Sequence, residues 1–96
     1  MSGWTFLTNH AQVFLCIAEN SRISARSIAG KVGITERAVQ RILDDLEESG
    51  YISRFREGRS NYYEIHPEQP MRHPAQQTLP VQSLLNLVKP AEPVAA

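Results

Sequence analysis

The chain has 96 residues, with ten Lys and Arg balanced by ten Asp and Glu, three His and a single cysteine. That length suits one domain of ordinary size, whose small core gains stability from self-association. One cysteine excludes an internal disulfide and fits a reducing compartment. The start of the chain lacks a basic region followed by an apolar run, and no stretch approaches the ~20 apolar residues of a spanning helix. The expectation is a cytoplasmic protein without a membrane segment.

In chain order, a first helix is expected over Thr8 to Asn20, with Thr8 as its N-cap. His10, Val13, Phe14 and Ile17 recur at helical spacing on one face, and Ala11, Leu15 and Ala18 make a second apolar strip. That pattern predicts a helix buried on two sides. Ser21-Arg22-Ile23 is a short connection, with a small edge strand as one option. A second helix starts after Ser24, where Ile23 before the cap and Ile28 behind it form a hydrophobic staple. A third helix repeats the device with Thr35 as cap and Ile34 packing toward Val39. It runs to about Ser49 with Gly50 as its stop. Its apolar stripe is Val39, Ile42, Leu43 and Leu46. Its polar face carries Glu36, Arg37, Gln40, Arg41 and Asp44.

The junction of the second and third helices is the most informative stretch. Ala29 is followed four residues later by Gly33, and Ile34, Val39 and Ile42 come after it. A small residue lets two short helices approach, and a glycine takes the left-handed turn that ends the first of them. Ile28, Val32, Val39 and Ile42 are the expected core between them. Beyond Gly50, Tyr51 to Arg56 and Asn61 to Ile65 read as two strands, joined by the loop Glu57-Gly58-Arg59-Ser60. The expected fold is mainly α with a small β-hairpin (α+β): a winged helix-turn-helix, with a three-helix core, a wing and a short C-terminal helix.

Composition shifts at Pro67, and all six prolines lie from there onward. The expected organisation is a domain over 1–66, a Pro-rich linker over 67–79 that is extended to about residue 77, a short helix over 80–89 and a frayed tail over 90–96. In that helix Val81, Leu84, Leu85 and Val88 recur at helical spacing, between Pro80 in the first turn and Pro90 as the stop. The stripe is too short to stand alone, and Trp4, Phe6 and Leu7 are the apolar surface expected to receive it; the expected role is dimerisation with a second chain, and the alternative is packing on the same chain as a cap on its core.

Charge is zero in total but not locally. Arg22, Arg26, Lys31, Arg37 and Arg41 face only Glu36 between residues 22 and 43. Asp44, Asp45, Glu47 and Glu48 follow as a cluster, and then Arg54, Arg56 and Arg59 return. Local patches, rather than the sum, set the field that a duplex meets.

With hairpin and helices together, residues 8 to 66 resemble the bacterial and archaeal winged-helix transcription regulators of the MarR and ArsR type. The resemblance rests on Ile28-Ala29, Gly33-Ile34-Thr35, the helix from Val39 to Leu46, Gly50-Tyr51-Ile52 and Gly58-Arg59-Ser60-Asn61-Tyr62-Tyr63. It is greatest to small stand-alone regulators with a short helical tail. It implies a recognition helix over residues 35 to 41 and a wing tip at Arg59. The Cys and His pairs of metal-sensing members are absent from this sequence, and the tail is shorter than in effector-binding members, so DNA binding is implied more than ligand sensing.

The expected DNA-contacting set is Thr35, Glu36, Arg37, Gln40, Arg41, Arg54, Arg56, Arg59 and Asn61. Gln pairs with adenine and Arg with guanine through two hydrogen bonds in the major groove. Glu36 either accepts from cytosine or favours the positive helix end. Arg59 beside Gly58 suits the minor groove, and the alternative is a solvated loop charge. For Ser24 capping alone is enough. Cys16 reads as a small apolar filler, with oxidant sensing as the rival. His10, His66 and His73 are dispersed and imply no metal, and no catalytic constellation or cofactor motif is found, so no enzyme is expected. The function expected is a homodimeric, sequence-specific regulator that reads an inverted repeat in double-stranded DNA, with any small-molecule effector left open. The alternative is a winged-helix protein-interaction module without DNA binding, which the zero net charge and the acidic cluster keep open.

Overall fold

The computed structural model describes residues 3–88 and divides into two compact units after His66. The first unit holds α1 (Asn9–Glu19), α2 (Ala25–Val32), α3 (Glu36–Glu48), β1 (Ile52–Glu57) and β2 (Ser60–Ile65). The second holds α4 (Gln82–Val88).

Each of the first three helices opens on a hydroxyl cap. Thr8, Ser24 and Thr35 accept hydrogen bonds from the backbone N–H of Ala11, Ser27 and Ala38 at 3.0–3.1 Å. Each cap satisfies a donor the helix leaves unpaired, a contribution of about 1 kcal/mol. The ends of α2 and α3 are closed in kind. Gly33 takes φ +83°, and the Ile34 N–H bonds back to the Ala29 carbonyl at 3.1 Å. After α3 the Tyr51 N–H reaches the Leu46 carbonyl at 2.9 Å, and Gly50 reaches Glu47. Both are Schellman closures, which satisfy the last carbonyls and turn the chain sharply.

The core fills the angle between the three helices and the base of the hairpin. Val13, Phe14 and Ile17 come from α1, Ile28 and Ala29 from α2, and Val39, Ile42, Leu43 and Leu46 from α3. Ile23, Tyr51, Ile52 and Tyr63 complete it. The staple of Ile23 and Ile28 is buried at both ends, whereas Ile34 and Val32 are half-buried. α1 is buried on one side, not two: Ala18 is exposed, and Ala11 and Leu15 are only half-covered. A domain of three short helices and one hairpin has too few layers to cover both sides of its first helix.

β1 and β2 pair antiparallel from Ile52↔Ile65 to Glu57↔Ser60, one residue longer at the tip than the sequence suggested. Gly58 with φ +63° and Arg59 form the two-residue turn. Glycine at the first position, followed by a residue with negative φ, is the primed turn that matches strand twist. Residues 21–23 are a turn and not an edge strand, although the Ser21 carbonyl accepts from the Tyr63 N–H of β2 at 2.9 Å.

In the second unit, the segment expected to be extended folds back on itself. Pro70 and Pro80 form an antiparallel bridge, flanked by Met71 N–H to Leu79 O at 2.9 Å and Val81 N–H to Gln69 O at 2.7 Å. Both flanking bonds use residues beside the prolines. The prolines thus occupy a pair that requires no N–H of its own, which is how two residues without a donor sit opposite each other. α4 begins two residues after Pro80. Val81 is buried and Leu84 and Leu85 are half-buried. The side chain of Val88 and the tail from residue 90 lie outside the described residues.

Candidate nucleic-acid interface

The polar face of α3 is built by the same period that builds its core stripe. With Val39, Ile42, Leu43 and Leu46 turned inward, Glu36, Arg37, Gln40 and Arg41 fall outward, and all four are exposed. Arg37, Gln40 and Arg41 stand at i, i+3 and i+4, which puts them on one surface of the first two turns. Thr35 is exposed, but its hydroxyl oxygen is already engaged as the cap. The ion pairs among the described residues are His10–Asp45, Arg22–Glu57, Arg54–Asp44 and Arg54–Glu47. Arg37, Arg41 and Arg59 take part in none of them.

The wing sorts its cations by face. Strand alternation sends Ile52 and Arg54 to the side of the core, opposite Ile65 and Tyr63. Arg56 and Asn61 continue that face toward the tip. Arg54, expected among the DNA contacts, is instead turned onto α3. Its side chain is 21% exposed and bonds Asp44 at 2.6 Å and Glu47 at 2.8 Å. The hydrogen bond that Arg54 donates to Asp44, first among the causes, raises the Arg54 pKa above its ordinary value. This is also where most of the acidic cluster finds its partners: Asp44 and Glu47 meet Arg54, and Asp45 lies 2.8 Å from His10. The alternation itself was the missed signal, since a residue two places after buried Ile52 points the same way.

Arg56 folds back, with its Nε donating to the Gly58 carbonyl at 3.3 Å. Arg59 is exposed at the turn, and Asn61 is exposed across from Arg56 while its side chain bonds Tyr63. On the other face of the wing, Phe55 and Tyr62 stack at 5.1 Å. Arg22 lies 4.9 Å over the Tyr62 ring and 3.5 Å from Glu57. Arg22 is thus a wing contact that the sequence reading missed, because its partners lie 35 and 40 residues away.

The remaining titratable candidates are accounted for locally. Burial pushes the Cys16 thiol up; Lys31 opposes this and Glu19 adds to it. His10 bonds Asp45 instead of joining the core face, His66 lies 2.7 Å from Ser53, and His73 accepts from the Ala75 N–H. No described helix is long and apolar enough to cross a membrane.

Three helices followed by an antiparallel hairpin, with a short helix in the tail, define a winged helix-turn-helix. Residues 9–53 match the family described as winged helix-turn-helix DNA-binding. Among solved structures it is similar to the T. potens IscR (TM-score 0.64, 13% identity, 98% of this chain and 95% of that one). It is also similar to AF1382 from Archaeoglobus fulgidus (TM-score 0.58, 17% identity, 83% and 84%). At these identities the likeness concerns the fold. The sequence comparison with curated proteins gives no match.

Proposed function

We propose that the chain is a sequence-specific DNA-binding transcription regulator that lays α3 in the major groove and sets the wing tip against the flanking backbone or minor groove. The observation that carries this reading is the sorting of charge. The acids in the second half of α3 are largely taken up by Arg54 and His10, while Arg37, Gln40, Arg41 and Arg59 stand exposed. A chain of zero net charge thereby presents a basic, hydrogen-bonding face, which a duplex meets locally. Arg37, Gln40 and Arg41 are the candidates for base edges. Thr35, Glu36, Arg56, Arg59 and Asn61 frame them, and Arg54 acts from behind. The reading is one of binding, without a catalytic step.

The MarR and ArsR resemblance suggests a homodimer, and the exposed apolar surface supports one. Trp4 and Phe6, edge to face at 5.1 Å, are 65% and 91% exposed, and Leu87 is 75% exposed. In a symmetric pair Leu84 and Leu85, half-buried in their own chain, cover the aromatic pair of the other copy, while Val81 of the expected stripe is already buried in its own unit. Two recognition helices then stand about one DNA turn apart over an inverted repeat. Selection of bound sequences from a random duplex library tests binding and half-site spacing together. Recovery of an inverted repeat with steep salt dependence is expected. Absence of any salt-dependent duplex binding overturns the reading in favour of a protein-interaction module.

A further inference from the structure

The wing is a two-stranded ribbon, and such ribbons are marginal by themselves. Its base is held by the core: Ile52 and Tyr63 are buried, and the Tyr63 N–H is tied to Ser21. Beyond the rung Arg54↔Tyr63 lie three more rungs and the turn, with the outer residues exposed except for half-buried Tyr62. Two side chains brace the ribbon, one at that rung and one beyond it. On one face Arg22 reaches Glu57 at 3.5 Å, with side chains 56% and 65% exposed. On the other, Arg54 bonds two carboxylates one helical turn apart on α3, at 2.6 and 2.8 Å, from a mostly covered position. Exposed single pairs hold little, whereas a planar guanidinium shared between two carboxylates is directional and short.

We propose that Arg54 is a positioning residue: its guanidinium ties β1 to the second half of α3 and so sets where the wing tip, with Arg59, stands relative to the helix face of Arg37, Gln40 and Arg41. The importance of that spacing rests on the function proposed above; the tie itself does not. The helix and the wing tip must meet the duplex together, and only a fixed spacing lets both engage without an ordering cost at binding. Lysine at residue 54 keeps the charge but not the fork, so it is a poor substitute.

The test has two arms. In the full chain with Cys16→Ser, spin labels at Gln40→Cys and Ser60→Cys report the helix-to-tip distance without DNA. A narrow distribution is expected in the parent, and a broadened or displaced one in Arg54→Met. The same change is expected in Asp44→Asn/Glu47→Gln, which removes the tie from the exposed side and leaves Arg54 in place. An unchanged distribution in both variants, each with parental helix content, overturns the proposal. The second arm measures the factor lost on Arg59→Ala with a selected duplex. A several-fold loss in the parent is expected to shrink below about twofold when Asp44 and Glu47 are neutralised. Removing two acids by itself strengthens duplex binding. If binding tightens and the Arg59 factor persists in full, the acids matter only as charge and the positioning role is overturned. If the parent binds no duplex at any salt, the proposed function fails instead, and the distance arm alone decides the tie.

Discussion

At the residue scale, identity and period assign the side chains of α3 and the surroundings decide what each one does. Arg37, Gln40 and Arg41 are exposed on one surface, whereas Arg54, of the same type as two of them, is spent inside the chain. Replacement of Gln40 or Arg41 by Ala is expected to cost about 1–3 kcal/mol on the preferred duplex and to relax one base position. Competition against random duplex checks this; equal weakening on both would assign these residues to the backbone. Cys16 gives a prediction of the opposite kind. Burial disfavours its thiolate, so the pH profile of alkylation is expected to lie above that of a free thiol, and Cys16→Ser to leave any peroxide response unchanged. The linkage has a definite sign. With the folded value raised, the thiol's contribution to stability is full below the unfolded value and is lost as pH rises through the folded one. An alkylation profile at or below that of a free thiol would restore the oxidant-sensing role.

At the element scale, boundaries were the most legible feature. The Thr8, Ser24 and Thr35 caps and the glycine stops were readable because capping is local: it needs a hydroxyl or a glycine at a fixed offset and no distant partner. Gly33→Ala tests this. Nothing lies within 4 Å of the added Cβ, so the strain of φ +83° acts alone. A loss of about 1–2 kcal/mol in urea unfolding, without change of fold, is expected. A smaller loss would mean that the turn relaxes. The burial of α1 and the extended path expected for residues 67–79 were misjudged for a shared reason. How many neighbours cover a helix, and whether prolines meet across a loop, depend on contacts between distant residues. Pro70 and Pro80 illustrate it: each alone disfavours helix, and only their pairing closes the loop.

At the scale of the whole molecule, the question is how many copies act together. Light scattering on the full chain at tens of micromolar is expected to give a dimer, and a chain ending at His66, where the first unit closes, is expected to give a monomer. A monomeric full chain would remove the proposed dimer, and a dimer that survives the cut would move the interface to the first unit. The sequence by itself determined the order of elements, their caps and stops, the helix stripe and the winged helix-turn-helix, because period, hydroxyl caps and glycines act within a few residues. Only the tertiary structure decided which charges remain free. Arg22 meets Glu57, His10 meets Asp45, and Arg54 meets Asp44 and Glu47 across 7 to 35 residues of chain. A charge is silenced by its neighbour in space, and in this chain those neighbours are brought together by the packing of helix and wing.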